Sequence, residues 1–232
     1  MSGLLAIDAL VFDAYGTLFD VHSATAAAER MVPGRGAELS QLWRTKQLEY
    51  TWLTSLMAED GDAVRAPRPD FAAVTAQALD YALAALGVAL DNARRTELRG
   101  EYLTLAPFPD VRAALAALAP RPRWILSNGT LAMLEPLVRH NALERHLDGV
   151  LSVDAAGVYK PSPRVYRLAL DRLRVPAARI GFVSSNGWDA VGAKAFGFTA
   201  FWINRGGAPV DRHGPAPDRI IATLADLPPL LA

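Results

Sequence analysis

The chain has 232 residues, of which 51% are hydrophobic, so a folded form can bury a substantial core. Its 24 basic residues balance its 24 acidic residues, so no net charge attracts it to nucleic acid or to an anionic membrane, and a small-molecule substrate is the better expectation. Cysteine is absent, which excludes disulfides, thiolate metal sites and a cysteine nucleophile.

The N-terminal segment, MSGLLAIDALVF, leads into the first predicted strand. It carries no basic leader, and its apolar residues are interrupted by Asp8. No stretch of the chain approaches the roughly 18 consecutive apolar residues of a membrane-spanning helix. We therefore expect a cytoplasmic protein with no membrane partner.

The first predicted strand is a short apolar run, residues 9–12, without polar alternation. Such a run suits a strand that is buried on both faces of a parallel sheet. Asp13 follows directly, and Gly16 permits a tight turn after it. A carboxylate at the end of such a strand lies where open α/β sheets bind ligands, although Asp and Gly also begin ordinary turns.

The pattern then changes from strand to helix. Apolar residues recur at helical spacing over residues 39–57 and 71–86, and the second helix has Asp70 as its predicted N-cap and Gly87 as its predicted stop. A third helix is predicted after Asp91. Because this helical block directly follows the first strand, we expect an inserted cap that closes over the carboxyl end of that strand.

Strands and helices alternate in the rest of the chain. Apolar runs predict strands at residues 124–126, 150–153, 180–183 and 199–203, and helical patterns occur at 111–118, 131–138, 165–173 and 190–196. This alternation predicts an α/β core with a Rossmann-like parallel sheet and right-handed crossovers. The predicted core domain comprises residues 1–20 and 100–232, and the predicted all-helical cap domain comprises residues 21–99. Residues 206–217 are predicted to form a surface loop.

Polar residues occur at the ends of the later predicted strands. The second strand ends in Ser127 and Asn128, the third leads to Lys160, and the fourth ends in the segment SSNGWD, which begins at Ser184. Because the carboxyl ends of parallel strands meet at one edge of the sheet, these groups are expected to surround Asp13. Each one alone is more often a helix cap or a solvated loop residue, so the prediction depends on their combination.

These four strand ends resemble the four motifs of the haloacid dehalogenase superfamily, which supply a nucleophilic Asp, a Ser or Thr, a Lys and an acidic group. Phosphatases of that superfamily carry a second Asp two residues after the nucleophile and a Gly-Asp pair for magnesium in the fourth motif. Here those positions hold Tyr15 and the pair Ser184 and Ser185. A phenol is a poor acid near neutrality and serine is a poor magnesium ligand, so the phosphatase interpretation is weakened.

Five segments, DAYGTLFDV, WRTKQLEYTW, SNG, KP and SSNGWD, instead resemble the (S)-2-haloacid dehalogenase family in order and spacing, while residues 60–70 depart from its pattern. The resemblance implies that Asp13 displaces halide from a short (S)-2-haloalkanoic acid, and that water opens the resulting ester to the (R)-2-hydroxy acid, without metal or cofactor. The implied catalytic residues are Asp13, Thr17, Arg44, Lys160, Tyr166, Ser184, Asn186 and Asp189.

The resemblance also implies a substrate and halide pocket. Arg44 would meet the anionic substrate from the cap, because a guanidinium offers several fixed donors and stays charged. Polar groups and an apolar wall would complete the pocket, which comprises Ala14, Tyr15, Arg44, Leu48, Phe71, Ser127, Asn128 and Trp188. A homodimer is implied as well. Two alternatives remain open at this point, namely a magnesium-dependent phosphatase or phosphonatase of the same fold and a non-catalytic binding module.

Overall fold

The computed structural model describes residues 3–57 and 68–232 of the chain. In these residues, six parallel strands form one sheet in the order β3-β2-β1-β4-β5-β6. The strands are β1 (Ala9–Phe12), β2 (Arg123–Ser127), β3 (Gly149–Ser152), β4 (Ile180–Ser184), β5 (Thr199–Ile203) and β6 (Arg219–Ile221). The parallel α/β sheet that the alternating pattern predicts is therefore confirmed.

The first strand lies at the centre of the sheet. Leu10 of β1 pairs with Arg123 on one side and with Gly181 on the other, and all four β1 residues are buried. Burial on both faces explains why the sequence of β1 shows no polar alternation. Asp13 directly follows the carboxyl end of β1, which thus lies between the ends of β2 and β4.

After β1 the chain forms a block of four helices, namely α1 (Ser23–Met31), α2 (Gly36–Met57), α3 (Phe71–Ala85) and α4 (Asn92–Gly100). The Asp70 carboxylate accepts the N–H of Ala73, so the predicted N-terminal cap forms, and the Asp91 carboxylate likewise accepts the N–H of Arg94 at the start of the helix predicted after it. Gly87, at a φ of +63°, follows the end of α3, as expected of a helix stop. Most of the divergent segment, residues 60–67, lies outside the described residues.

The helical block leaves and rejoins the core through two neighbouring chain segments. Phe19 and Pro107 form an antiparallel bridge, and the N–H of Asp20 donates a 2.8 Å hydrogen bond to the carbonyl oxygen of Ala106. The N–H of Phe108 in turn donates to the carbonyl oxygen of Leu18 at 3.1 Å. The block is thus an insertion attached immediately beyond β1, beside the strand end that carries Asp13.

The remaining helices are α5 (Val111–Ala117), α6 (Leu131–His140), α7 (Pro163–Leu173) and α8 (Gly187–Phe196). The predicted start of α8 at residue 190 is three residues late, so Trp188 and Asp189 belong to its first turn. The third strand ends one residue earlier than expected, because Val153 begins a 3₁₀ turn. In the part of the chain that the structure describes, no helix combines the length and the hydropathy that a membrane span requires.

Candidate active site

Asp13 is held at the end of β1 by three side chains. Its Oδ1 accepts a 3.0 Å hydrogen bond from the Lys160 ammonium group, and its Oδ2 accepts hydrogen bonds from Asn186 Nδ2 at 2.9 Å and Thr17 Oγ1 at 3.2 Å. The residue is only 6% exposed. These three donors fix the orientation of the Asp13 carboxyl group, which is almost inaccessible to solvent.

The turn after Asp13 is joined to the end of β4. Gly16 adopts a φ of +87°, and a Cβ there would lie 3.2 Å from Ser185 Oγ. The Thr17 hydroxyl lies 3.2 Å from Ser185 Oγ and accepts the Ser185 N–H at 2.8 Å. Ser185 therefore couples the first and fourth motifs, a role that its place in the sequence does not predict.

Lys160 lies between two buried carboxylates. Its Nζ donates to Asp13 and also to Asp189 Oδ2 at 2.9 Å, while the Tyr166 hydroxyl donates to Asp189 Oδ1 at 2.7 Å. Burial alone lowers the pKa of Lys160, but the attraction of Asp13 and Asp189 outweighs burial and raises it. Burial raises the pKa of Asp189 against the opposing effect of Lys160, and burial also raises that of Tyr166.

Three polar residues at the strand ends shape the surrounding turns. Ser127 Oγ accepts the N–H of Gly129 at 3.2 Å, and Ser184 Oγ accepts the N–H of Asn186 at 3.1 Å. Asn128 Oδ1 accepts the backbone N–H of Lys160 at 3.1 Å, which ties the end of β2 to the lysine segment. Ser127, Asn128 and Ser184 are all buried, and they lie at the carboxyl ends of β2 and β4, the two strands that flank β1.

Arg44 reaches this edge of the sheet from α2. The half-buried guanidinium donates a 2.6 Å hydrogen bond from Nη1 to Gln47 Oε1. Arg44 also lines a cavity of about 430 Å³ together with Gly16, Ser185 and Asn186. Since Asn186 donates directly to Asp13, this cavity joins the cap arginine to the surroundings of the buried carboxylate.

An aromatic cluster lies beside the Asp13 turn. The ring of Tyr15 stacks on that of Phe71 at a centroid distance of 5.6 Å and meets Tyr102 edge-on at 5.5 Å. Burial raises the pKa of Tyr15, and its hydroxyl has no hydrogen-bond partner among residues 3–57 and 68–232. The structure thus brings Tyr15 and Phe71 together, in an apolar environment that disfavours an ionised phenol.

Two other predicted wall residues lie apart from that cluster. Trp188 packs edge-on against Trp52 at 5.4 Å, and both line a second cavity, of about 530 Å³, together with Lys160 and His213. Leu48 is half-buried on α2 and is not among the residues that line either cavity. Trp188 thus lies on the lysine side of the site, and Leu48 is not brought to it by any of these contacts.

Three further contributors, besides Ser185, were absent from the predicted set. Gln47 contacts Arg44, Tyr102 meets Tyr15 edge-on, and Trp52 packs on Trp188. Gln47 falls inside the segment WRTKQLEYTW, three residues after Arg44, so its helical spacing could have indicated the contact. Trp52 is the last residue of the same segment, but its contact with Trp188 depends on tertiary packing, as does the position of Tyr102.

The chain is similar to known proteins in both sequence and fold. A family described as haloacid dehalogenase-like hydrolase matches residues 7–197. The (S)-2-haloacid dehalogenase H-109 of Pseudomonas putida is 44% identical over 95% of this chain and 96% of its own length. Haloacetate dehalogenase H-2 of Moraxella sp. (strain B) is 42% identical over 97% of this chain and 98% of its own.

Solved structures give the same result. The L-2-haloacid dehalogenase from Xanthobacter autotrophicus with chloropropionic acid covalently bound superposes with a TM-score of 0.87 and is 42% identical, over 97% of this chain and 98% of that one. Another structure of the Xanthobacter autotrophicus enzyme gives a TM-score of 0.88 at 41% identity, over 97% of this chain and 100% of that one.

Proposed function

This chain belongs to the (S)-2-haloacid dehalogenases among the haloacid dehalogenase-like hydrolases, and from that premise we propose that it hydrolyses short (S)-2-haloalkanoic acids to (R)-2-hydroxy acids and halide. The observation that carries the proposal is the Asp13 carboxylate, which is buried and held by Lys160, Asn186 and Thr17. A carboxylate fixed in this way, with a phenol rather than a second acid at Tyr15, is suited to act as a nucleophile on carbon.

In the first step, an Asp13 oxygen attacks the α-carbon of the substrate from the side opposite the halogen. The new carbon–oxygen bond forms an ester, and the halogen leaves as halide with the electron pair of the broken bond. The substrate brings a second carboxylate close to Asp13, and the Lys160 ammonium group, 3.0 Å from Oδ1, offsets the repulsion between them. Water exclusion strengthens that attraction and leaves the nucleophile weakly solvated.

Arg44 and the residues at the strand ends bind the two anionic groups, the leaving halide and the substrate carboxylate. Arg44 faces the leaving halide, because its guanidinium lines the cavity that also contains Asn186. Ser127 and Asn128, with the backbone N–H groups of Ala14 and Tyr15, take the substrate carboxylate. This division gives the two negative groups of the reaction separate sets of donors.

In the second step, water attacks the carboxyl carbon of Asp13 and opens the ester. Ser184 and Asn186 lie beside that carboxyl group and hold the water, while Asp189, joined to Lys160 and Tyr166, receives the proton that is returned to the departing hydroxy acid. Opening of the ester regenerates the Asp13 carboxylate, and the second proton of the attacking water is released to solvent, so each turnover consumes one water and yields the hydroxy acid, halide and a proton.

The remaining assignments belong to the same proposal. Tyr15, Phe71, Leu48 and Trp188 form the apolar wall around the halogen and the alkyl chain. Residues 21–99 act as the cap domain on a core of residues 1–20 and 100–232, and the enzyme works as a cytoplasmic homodimer. The bridge between Phe19 and Pro107, where the helical block joins the core, supports this division into domains.

Halide release tests the function directly. The enzyme is incubated with (S)-2-chloropropionate, (R)-2-chloropropionate and chloroacetate, and free chloride is measured with Asp13→Asn as the control. Chloride from the (S) acid, with little from the (R) acid and none with Asp13→Asn, is the expected result. Hydrolysis of phosphate monoesters in magnesium instead would indicate a phosphatase, and no turnover of any of these compounds would favour a binding module.

A further inference from the structure

A buried chain of hydrogen bonds runs from Arg44 into helix α3. Arg44 Nη1 donates to Gln47 Oε1 at 2.6 Å, Gln47 Nε2 donates to Thr75 Oγ1 at 2.7 Å, and the Thr75 hydroxyl donates to the carbonyl oxygen of Phe71 at 2.6 Å. Gln47 is fully buried and Thr75 is 2% exposed. Between Gln47 and Thr75, bulk water is therefore excluded, and each donor depends on the next acceptor.

The donors and acceptors in this series of hydrogen bonds determine which end of the Gln47 amide faces Thr75 and which faces Arg44. The Phe71 carbonyl can only accept, so the single hydroxyl proton of Thr75 must point to it. Thr75 Oγ1 can then only accept from Gln47, which requires the NH₂ end of the amide to face it. The opposite end, Oε1, consequently faces Arg44.

Tyr102 reinforces the same orientation. Its hydroxyl lies 3.4 Å from Gln47 Oε1, so that the oxygen faces two donors, one from Arg44 and one from Tyr102. A flipped amide would set an N–H group against the Arg44 guanidinium, which cannot accept, and would leave the Thr75 oxygen without a proton to accept. Because Gln47 and Thr75 are buried, each such mismatch leaves a polar group without a partner.

We propose that Thr75 is a positioning residue for the dehalogenation reaction, because its hydroxyl sets the Gln47 amide that holds the Arg44 guanidinium in place. This inference rests on the proposed function for its kinetic readout, since Arg44 is taken to face the halide. Thr75 does not itself touch the substrate. Its effect reaches the reaction only through Gln47 and Arg44.

The fold should survive loss of the Thr75 hydroxyl. The indole N–H of Trp43 donates to the backbone carbonyl of Thr75 at 2.8 Å, and this contact between α2 and α3 needs no side-chain atom of Thr75. Valine has nearly the same shape as threonine, so Thr75→Val removes the hydroxyl while the packing remains. Thr75→Ser keeps the hydroxyl and loses only a methyl group.

A set of matched variants tests the proposal. Thr75→Val should lower kcat/KM for (S)-2-chloropropionate by about 10-fold or more, and Thr75→Ser should stay within about threefold of wild type. Thr51→Val is the control, because Thr51 is equally buried on α2 but its hydroxyl donates only to the carbonyl of Leu48. Losses of equal size in Thr75→Val and Thr51→Val would overturn the assignment.

A double-mutant cycle then asks whether Thr75 acts through Arg44. In an Arg44→Lys background, Thr75→Val should cause little further loss, since the group that it positions is gone. Fully additive losses would contradict the proposal.

Crystal structures of wild type and Thr75→Val give a readout that needs no activity, and the variant should show Arg44 displaced from Gln47. An unchanged contact between Arg44 Nη1 and Gln47 Oε1 would overturn the inference, whereas an inactive wild type would count against the proposed function alone.

Discussion

The ammonium group of Lys160 lies 2.9 Å from Oδ2 of Asp189, and both side chains are almost completely excluded from water. Asp13 approaches the same ammonium group at 3.0 Å, so one positive charge serves two carboxylates. This arrangement explains why Lys160 resists deprotonation despite burial. It also explains why burial can raise the pKa of Asp189 although a lysine adjoins it, since the lysine is shared.

Asp189→Asn should weaken the reaction and move its alkaline limit. With one of its two carboxylates removed, Lys160 loses part of the attraction that opposes burial, so its pKa should fall and the alkaline limb of kcat/KM should move to lower pH. The value of kcat/KM should drop by about 10-fold or more. A pH profile of halide release measures both effects. Asp218→Asn, which breaks a partly exposed pair with Lys194, is the control and should leave the limb in place.

The same contacts predict how stability depends on pH. The folded-state pKa of Lys160 is raised above its unfolded value, so its contribution to stability is fully present below the unfolded value, about 10.4, and is lost as pH rises through the folded value. The free energy of unfolding of wild type, measured by urea titration, should therefore fall at strongly alkaline pH. A flat profile across that range would contradict the raised pKa.

Gly192→Ala should disturb the Tyr166 hydroxyl. A Cβ at position 192 would lie 2.6 Å from that hydroxyl oxygen and 2.7 Å from Cβ of Pro161, so Tyr166 must move away from Asp189. Alanine normally stabilises a helix interior relative to glycine by about 1 kcal/mol, so a loss of activity here would be specific to the site. We expect kcat to fall about 10-fold.

A double-mutant cycle with Tyr166→Phe checks the cause. Removing the hydroxyl eliminates one of the two clashes, and the double variant should therefore be little worse than Tyr166→Phe alone. Gly100→Ala provides the control, because a Cβ there would meet no atom within 4 Å. Multiplicative losses in the double variant would show that the substitution at Gly192 acts through another contact, such as Pro161.

Much of the fold can be predicted from the sequence, because the local residue pattern of the central elements agrees with their position in the structure. The run ALVF predicts a strand buried on both faces, and the structure places it between two other strands. Strand β6 was missed because its three residues, Arg219–Ile221, include the exposed Ile220 and form no apolar run. Its strand geometry comes from pairing with β5, which is a tertiary effect.

The residues of the site likewise include some that the sequence predicts and some that it does not. Groups such as Lys160 and Asp189 could be predicted because strand ends in a parallel sheet share one edge. The support of Arg44 could be predicted only in part, since Gln47 is its neighbour along α2 whereas Thr75 and Tyr102 lie 28 and 55 residues beyond Gln47. Contacts between distant segments depend on how α2 and α3 pack, and no local pattern encodes them.

Activity should survive exhaustive chelation. The ammonium group of Lys160 occupies the position between Asp13 and Asp189 where a bridging cation would otherwise be needed. In the described parts of the chain, no group of three or more His, Asp or Glu side chains is arranged to hold a metal ion. Halide release after dialysis against EDTA should stay within about twofold of the untreated rate. A loss that magnesium restores would contradict the prediction.

Arg44→Lys should lose most of the activity while the fold persists. A lysine ammonium is a point charge and cannot reproduce the fixed donors of the guanidinium toward both Gln47 and the halide. We expect kcat/KM to fall by about 100-fold, with an unchanged circular dichroism spectrum. Arg95→Lys, at a surface ion pair with Asp80 on the cap, is the matched control. Near-normal halide release by Arg44→Lys would place Arg44 outside the reaction.

The handedness of the product and the source of its oxygen test the covalent mechanism. Displacement by Asp13 inverts the α-carbon once, and water then attacks the carboxyl carbon of Asp13, so the new bond between the α-carbon and oxygen is never broken. An (S)-2-haloacid should therefore give the (R)-2-hydroxy acid, which chiral chromatography detects. Direct attack by an activated water would also invert the α-carbon, so stereochemistry alone does not distinguish the two routes.

An isotope label distinguishes them. In a single turnover in heavy-oxygen water, with enzyme in excess over substrate, the ester route transfers an original Asp13 oxygen to the product and places the label in the Asp13 carboxylate. The first product should thus be unlabelled, and mass spectrometry of the peptide that contains Asp13 should show the added mass. Water attacking the substrate directly would leave the peptide unlabelled and put heavy oxygen into the first product. That outcome would make Asp13 a general base, and the donors from Lys160, Asn186 and Thr17 would then serve to orient a base rather than a nucleophile.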